Sequence, residues 1–288
     1  MPISETQLET WSHQGATTTS ATTHKSVRTA LEAHRWPAGM SYEAYLQGSY
    51  PNATNIRGNS DVDLVVQTNG IFYNNLSDNE KSALKLSDGK YSLADFRAEV
   101  IEALTDYYGS DLVDDTGDNC LKLLPKNSRL PADVVPCAKY KRYKDLGVTG
   151  EGMTFWTQKS KTQVINYPKL HIKRGASKNA NVSKWYKPSV RMFKNVRESA
   201  GKSASQNYPS YYLECLIYNA SDDCFGNSFS DTYVSVVNFL NDARASGDLS
   251  NFVTQSGMQW LFGPEPYQWN QADAGGLIDL FIDAWNDS

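Results

Sequence analysis

Two aspartates stand one residue apart in "SDVDLVVQ", at positions 61 and 63, inside a valine-rich run. A Gly-Ser pair precedes them at 48 and 49 in "YLQGSYPNATNIRG". Aspartate is depleted in strands, and a buried carboxylate is costly unless it is paired or binds a metal. Residues i and i+2 of a strand share a face, so Asp61 and Asp63 are placed to hold a hard cation together. Oxygen donors of this kind suit Mg²⁺ or Mn²⁺ bound along with substrate phosphates. A third carboxylate on a neighbouring strand would complete a two-metal site with ions about 3.5–4 Å apart. Asp133 in "PADVVPC" is the best candidate, because it also sits among small and β-branched residues. The Gly48-Ser49 turn has a matching task. Glycine lets the backbone approach a phosphate closely, and N–H groups at a turn or helix start favour an anion. The Ser49 hydroxyl adds a donor. The turn would hold phosphates, and the aspartates would hold metal between those phosphates and an acceptor hydroxyl.

The elements that must position these groups are legible in outline. "SETQLETW" begins with serine and has a glutamate-rich first turn, which suits a helix start. "TTTSATTH" is β-branched and poor helix material, whereas "HKSVRTALEAH" recovers helical spacing. The segment 3–35 reads as one long helix with a weak middle, or as two helices. "YEAYLQGS" is a short strand running into the turn, and "SDVDLVVQT" is a second strand. "NNLSDNEKSALKL" reads as loop plus helix, and "SLADFRAEVIEALTDYYG" as a helix stopped by Gly109. "NCLKLLP" and "LPADVVPCAKYK" are two further strands. Residues 150–175 look like a hairpin followed by a loop. After them the pattern is helical: "KPSVRMFKNVRESAG", "PSYYLECLIYNA", "DTYVSVVNFLNDARAS" and "AGGLIDLFIDAWNDS". A mixed α+β part, 1–175, is therefore expected before a helical part, 176–288.

Bulk properties narrow the function. The chain has 288 residues, a net charge of -4 and a pI near 5.6. A protein that grips long nucleic acid usually has a strong basic excess, so no such partner is expected. There is no apolar run of membrane-spanning length and no basic-then-apolar leader. The four cysteines form no CxxC pair, which argues against zinc and for free thiols in a reducing cytoplasm. The four histidines show no metal-ligand spacing. Trp185, Trp260, Trp269 and Trp285 read as packing residues. Arg191, Lys194 and Arg197 recur at three-residue steps in "RMFKNVR". They form either a solvated basic face or one whose lysine reaches a triphosphate.

At these residues the sequence resembles the nucleotidyltransferase superfamily with the pattern G-S-x(n)-[D/E]-h-[D/E]. More narrowly it is similar to the bacterial cGAS/DncV-like nucleotidyltransferases of antiphage signalling, and to their clade E, CdnE. "LETWSHQGATTT", "YLQGSYPNATNIRGNSDVDLVVQ", "LPADVVPC", "EGMTF", "VINYPKLH", "WYKPSVRMFKNVR" and "PSYYLECLIYN" carry the resemblance, and they span most of the chain. The resemblance implies a polymerase-β-like mixed sheet, a continuous N-terminal spine helix and a helical C-terminal lobe, with the active site in the cleft between lobes. It implies that Asp61, Asp63 and Asp133 bind metal and that Gly48 and Ser49 form the phosphate turn. Lys194 and Ser210 match residues that contact the donor triphosphate. Tyr211 matches a tyrosine that stacks on a base, and Asn166 an asparagine associated with pyrimidine use. The implied activity is synthesis of a uracil-containing cyclic dinucleotide from two NTPs, such as cyclic UMP-AMP or cyclic di-UMP, with UTP and ATP as the expected substrates, by a cytoplasmic monomer. A separate effector protein would read the product. The rival functions are nucleotidyl transfer to RNA or protein, and a silent nucleotide-binding module. The three intact carboxylates argue against the silent module, and the lack of a basic tail argues against RNA.

Overall fold

The computed structural model describes residues 2–58, 61–87, 89–126, 129–265 and 267–286. Among them run the strands β1 (Tyr42–Leu46), β2 (Val62–Asn74), β3 (Val113–Asp114), β4 (Leu121–Leu123), β5 (Ala132–Lys144), β6 (Gly147–Trp156) and β7 (Gln163–Asn166). They form a mixed sheet in the order β1-β2-β5-β4-β3, with β6 pairing β5 and β7 pairing β6. β2 and β5 are parallel, and every other pairing is antiparallel. The mixed sheet expected from the sequence is present.

The two-residue period of β2 and β5 divides their side chains between two cores. Val62, Leu64, Val66 and Val134 pack with Val27 and Leu31 of helix α2 (Thr18–Ala33) and with Phe96, Val100 and Leu104 of helix α5 (Leu93–Tyr108). Val65, Val135 and Cys137 pack on the other face with Met153 and Phe155. Asp63 and Asp133 alternate with the first set, so they share the second face, away from these helices. Helix α4 (Asp78–Ala83) and α5 each begin with a capping box, Ser77 with Glu80 and Ser92 with Asp95. α5 ends at Gly109, as its sequence predicts.

The chain divides into two compact units. One, of Thr17–Tyr50 and Ser60–Pro168, contains the sheet. The other gathers Met1–Ala16, Pro51–Asn59 and Lys169–Ser288. It contains α1 (Glu5–Ser12), α6 (Pro168–Asn181, but for its first residue), α7 (Tyr186–Ser199), α8 (Lys202–Asn207), α9 (Ser210–Tyr218), α10 (Phe229–Ser246) and α11 (Gln271–Asn286). The short helix α3 (Ser49–Asn52) follows the Gly48 turn. The helical core centres on α7. Its Phe193 stacks on Tyr233 of α10 at 4.8 Å and meets Phe281 of α11 edge-on at 4.9 Å. Trp185, Trp269 and Trp285 pack against this core. Trp260 departs from the expectation, at 57% exposed.

The continuous spine helix is replaced by two helices, α1 and α2. The chain leaves α1 at His13, whose backbone is extended. Asn55 then occupies the groups a helix would need. Gly15 N donates to Asn55 O at 3.0 Å, and the Asn55 amide donates to Ala16 O at 3.2 Å. A Cβ at Gly15 would lie 2.7 Å from Ile56 O, so this close approach needs glycine. The loop expected after the β6–β7 hairpin is also corrected. Residues from Pro168 onward form α6, with proline in the first helical turn where its missing N–H costs nothing. Cys120, Cys137, Cys215 and Cys224 are in no disulfide. Among the described residues no helix is long and apolar enough to cross a membrane.

Candidate active site

β1 delivers the chain to Gly48, which has φ +74° and lies flush against β2. A Cβ there would fall 2.1 Å from Asp63 Oδ2. Gln47 N donates to Asp63 O at 3.0 Å, which fixes the same approach. Ser49, half-buried, opens the short helix α3. Both positive φ and absence of a side chain are therefore required where the turn meets the carboxylate. Gly48→Ala is expected to displace Asp63 and lower kcat by about 100-fold, because a shift near 1 Å costs on that order. A purified, folded Gly48→Ala chain that turns over NTPs at the normal rate would refute this arrangement.

The parallel register of β2 and β5 sets Asp63 directly beside Asp133. Asp61 lies exposed one residue before β2 begins. Burial raises the pKa of Asp133, and the charge of Asp61 adds to that, while a hydrogen bond from the Cys120 thiol and the charge of Lys122 oppose it. Tyr50 is pushed up by burial and by Asp61 and Asp63 together, which places its hydroxyl in the field of both carboxylates. Burial and Asp133 push the Cys120 thiol up to about 12, so it stays protonated as a donor. Lys122 is the β4 register partner of Asp133. Tyr50, Cys120 and Lys122 escaped the sequence reading. Only pairing of "NCLKLLP" against "LPADVVPC" would have exposed the last two.

Among the described residues no group of three or more His, Cys, Asp or Glu side chains is gathered tightly enough to hold a metal ion alone. Mg²⁺ bound with substrate phosphates needs only one or two protein carboxylates. The mutual charge of Asp61 and Asp133 is of the kind a cation relieves.

Asn166 ends β7 opposite Met153 of β6. Gly152 makes room for it, since a Cβ there would sit 2.4 Å from Asn166 O. Asn166 is half-buried, and no hydrogen bond of its amide is found among the described residues. Tyr211 is 37% exposed. Its ring stacks on buried His171 at 5.2 Å and leans on Trp269 at 5.8 Å, so it is held in one orientation. Ser210 begins α9, and its hydroxyl accepts from Arg197 at 3.3 Å.

The basic face of α7 is neither solvated nor open. Arg191, Lys194 and Arg197 are 9%, 1% and 1% exposed. Arg191 donates to the carbonyls of Ser12 and Ala53. Arg197 donates to Tyr208 O at 2.6 Å and to Glu198. The Lys194 ammonium is committed to Glu214 and to Thr54 O, the latter at 3.2 Å. In this structure the Lys194 ammonium, expected to contact the donor triphosphate, is a member of a buried ion pair. Glu214 also takes Thr54 Oγ1 at 2.7 Å and faces His171 Nε2 at 3.1 Å.

Gly48, Ser49, Asp61, Asp63, Asp133 and Asn166 fall in the sheet unit; Lys194, Ser210 and Tyr211 fall in the helical unit. Residues 173–286 match the cGAS/DncV-like nucleotidyltransferase C-terminal helical domain. The chain is 47% identical to the cyclic UMP-AMP synthase of Rhodothermus marinus, over 99% of this chain and 98% of that protein. It is 32% identical to the cyclic nucleotide synthase CdnE01 of Staphylococcus haemolyticus over 100% of both chains. The solved structure of Rhodothermus marinus CdnE c-UMP-AMP synthase with Apcpp and Upnpp matches at a TM-score of 0.91 and 46% identity, covering 99% of this chain and 97% of that one. By these likenesses the chain belongs to the cGAS/DncV-like nucleotidyltransferases, in the CdnE group of cyclic dinucleotide synthases.

Proposed function

We propose that the chain makes a uracil-containing cyclic dinucleotide from UTP and ATP, cyclic UMP-AMP foremost. The observation that carries this is the near full-length likeness to a synthase of that product, with a TM-score of 0.91 to a structure holding Apcpp and Upnpp. Asn166 supports it, because its half-buried amide has a donor and an acceptor to offer. Uracil presents an acceptor O4 beside a donor N3–H, so one amide can meet that edge twice.

In the sheet unit Gly48 and Ser49 bind the donor triphosphate; in the helical unit Ser210 offers a hydroxyl to a phosphate. Tyr211 supplies the stacking surface for a base. Asp61, Asp63 and Asp133 hold Mg²⁺ or Mn²⁺. When bound, the ions favour ionisation of the attacking 3′-hydroxyl and neutralise the triphosphate. Asp63, pinned by Gly48 and by its register with Asp133, fixes the geometry of that site. The 3′-oxygen of one nucleotide forms a bond to the α-phosphorus of the other, and pyrophosphate leaves with the broken bond's electrons. The linear product then reacts once more in the same way and closes the ring. The family resemblance supports a role in antiphage signalling, with a cytoplasmic, monomeric enzyme and a separate effector reading the product.

The test supplies each labelled NTP, alone and in pairs, with Mg²⁺ or Mn²⁺, and resolves phosphatase-resistant products. UTP with ATP is expected to give the main product. In Asn166→Ser the second contact is lost, and preference for UTP is expected to fall by about 10- to 100-fold, by analogy with bidentate base readout worth about 1–3 kcal/mol. A wild type that ignores UTP, or an Asn166→Ser variant with unchanged base use, defeats this assignment.

A further inference from the structure

One row of residues crosses the sheet from the phosphate turn. Gln47 N donates to Asp63 O at 3.0 Å where the turn meets β2. Asp63 is the register partner of Asp133, Asp133 of Lys122, and Lys122 of Asp114. Residues directly opposite one another on paired strands share a face, and neighbouring strands lie about 4.8 Å apart. Lys122 is therefore the cation of this row, one strand beyond Asp133 as seen from Gly48. All of these residues lie in the sheet unit. We propose that Lys122 binds the acceptor nucleotide: its ammonium holds the 5′-triphosphate of the NTP whose hydroxyl attacks.

The order of the row carries this. With the donor's triphosphate on the turn, pyrophosphate leaves on the β1 side. Attacking and leaving oxygens stand roughly in line across the reacting phosphorus. The attacking hydroxyl therefore enters from the β4 side, where Lys122 stands. An acceptor NTP brings a second triphosphate to that side, and Asp133 and Asp114 repel it. Lys122 is available to answer that charge. It is exposed, and among the described residues it has neither a salt bridge nor a hydrogen bond. Asp114 is occupied by Thr116 instead, accepting from its N–H at 2.9 Å and its hydroxyl at 2.6 Å. A lysine kept only to balance its two aspartate neighbours would be paired with one of them. The two-step reaction also explains why one exposed lysine suffices. The acceptor's triphosphate survives the first step and becomes the donor's triphosphate in the second, so it must leave Lys122 for the turn. A point charge on a flexible stem suits a group that has to move on.

The proposal rests on the catalytic reading of the turn and the carboxylates, but not on base choice. The test is a competition. All four NTPs, labelled, are mixed with equal concentrations of the unlabelled nucleosides and Mg²⁺. An NTP acceptor gives products that keep a 5′-triphosphate or close into a ring. A nucleoside acceptor gives a dinucleotide with no 5′-triphosphate, which cannot close. The ratio of the two classes reads the acceptor's phosphates and does not depend on how much of the protein is active. The wild type is expected to favour NTP acceptors. Lys122→Met is expected to lower that preference about tenfold, the scale of one hydrogen bond between charged groups. Lys122→Arg keeps the charge and is expected to retain most of the preference. Where Lys122→Met does not fold, Lys122→Gln gives the same reading; if neither neutral variant folds, Lys122 serves the fold and the proposal is overturned. It is overturned equally if the ratio in Lys122→Met matches the wild type, if that variant makes neither class of product, if Lys122→Arg behaves as Lys122→Met does, or if the wild type has no preference for NTP acceptors. A wild type that makes no product of either class overturns the catalytic reading and this proposal together; an unchanged ratio in an active Lys122→Met overturns this proposal alone.

Discussion

Asp63→Asn is expected to reduce cyclic dinucleotide formation by about 10³-fold in Mg²⁺, because loss of a metal-holding carboxylate removes several kcal/mol of charge stabilisation at roughly 1.4 kcal/mol per decade. Among the three carboxylates Asp63 is the most tightly specified. Its carboxylate occupies the space that Gly48 leaves by having no side chain, and β5 places Asp133 beside it. Asparagine has the same shape, so the strand should accept it. β2 is held by Val62, Leu64, Val65 and Val66, each fully buried, and none of them depends on the carboxylate. Stability should therefore stay within about 1 kcal/mol of the wild type, as expected for a change outside the core. The two readouts must diverge: pyrophosphate release collapses while the thermal midpoint holds. A folded Asp63→Asn chain with more than about one tenth of normal turnover would fall outside the effect of losing a metal ligand, and would move the metal site elsewhere.

The sequence disclosed the residues whose meaning is local. The spacing of Asp61 and Asp63, the valines between and after them, and Gly48 before them all lie within one short stretch, so alternation and turn chemistry sufficed. Asp133 was visible through the same kind of strand, and the register that seats it beside Asp63 emerged only from pairing. What failed was whatever depended on distant partners. Helical spacing showed correctly that Arg191, Lys194 and Arg197 lie along one face of α7. It did not show that the face is covered. The groups that cover it, Ser12, Ala53, Glu214 and Tyr208, come from four separate segments. The N-terminal helix failed for the same reason. Its break is enforced by Asn55, forty positions after Gly15. By contrast the start of α6 at Pro168 was a local signal that was overlooked, since proline in a first helical turn is common.

Lys194→Ala is expected to lower the thermal midpoint by about 6–20 °C, taking about 3–5 kcal/mol for breaking a buried ion pair and about 2–4 °C per kcal/mol for a unit of this size. The cost does not come from losing an attraction so much as from abandoning Glu214. Burial alone would push that carboxyl's pKa up, but the Lys194 charge and the His171 hydrogen bond overcome it and hold the group at about 2, against an ordinary 4.5. Remove Lys194, and a fully buried carboxylate keeps only Thr54 and His171 for partners. The pH dependence follows with a definite sign. A carboxyl depressed on folding contributes stability above its unfolded pKa, and that contribution is lost as pH falls from about 4.5 towards 2. The wild type should therefore lose stability steeply across this window, and Lys194→Ala should lose much less there because its Glu214 is no longer depressed. The double variant Lys194→Met with Glu214→Gln removes both charges and should be more stable than Lys194→Ala alone, since no uncompensated ion remains. If instead Lys194→Ala melts like the wild type and only its NTP KM rises, the ammonium is a substrate ligand that borrows Glu214 when no triphosphate is bound, and the buried-pair reading is wrong.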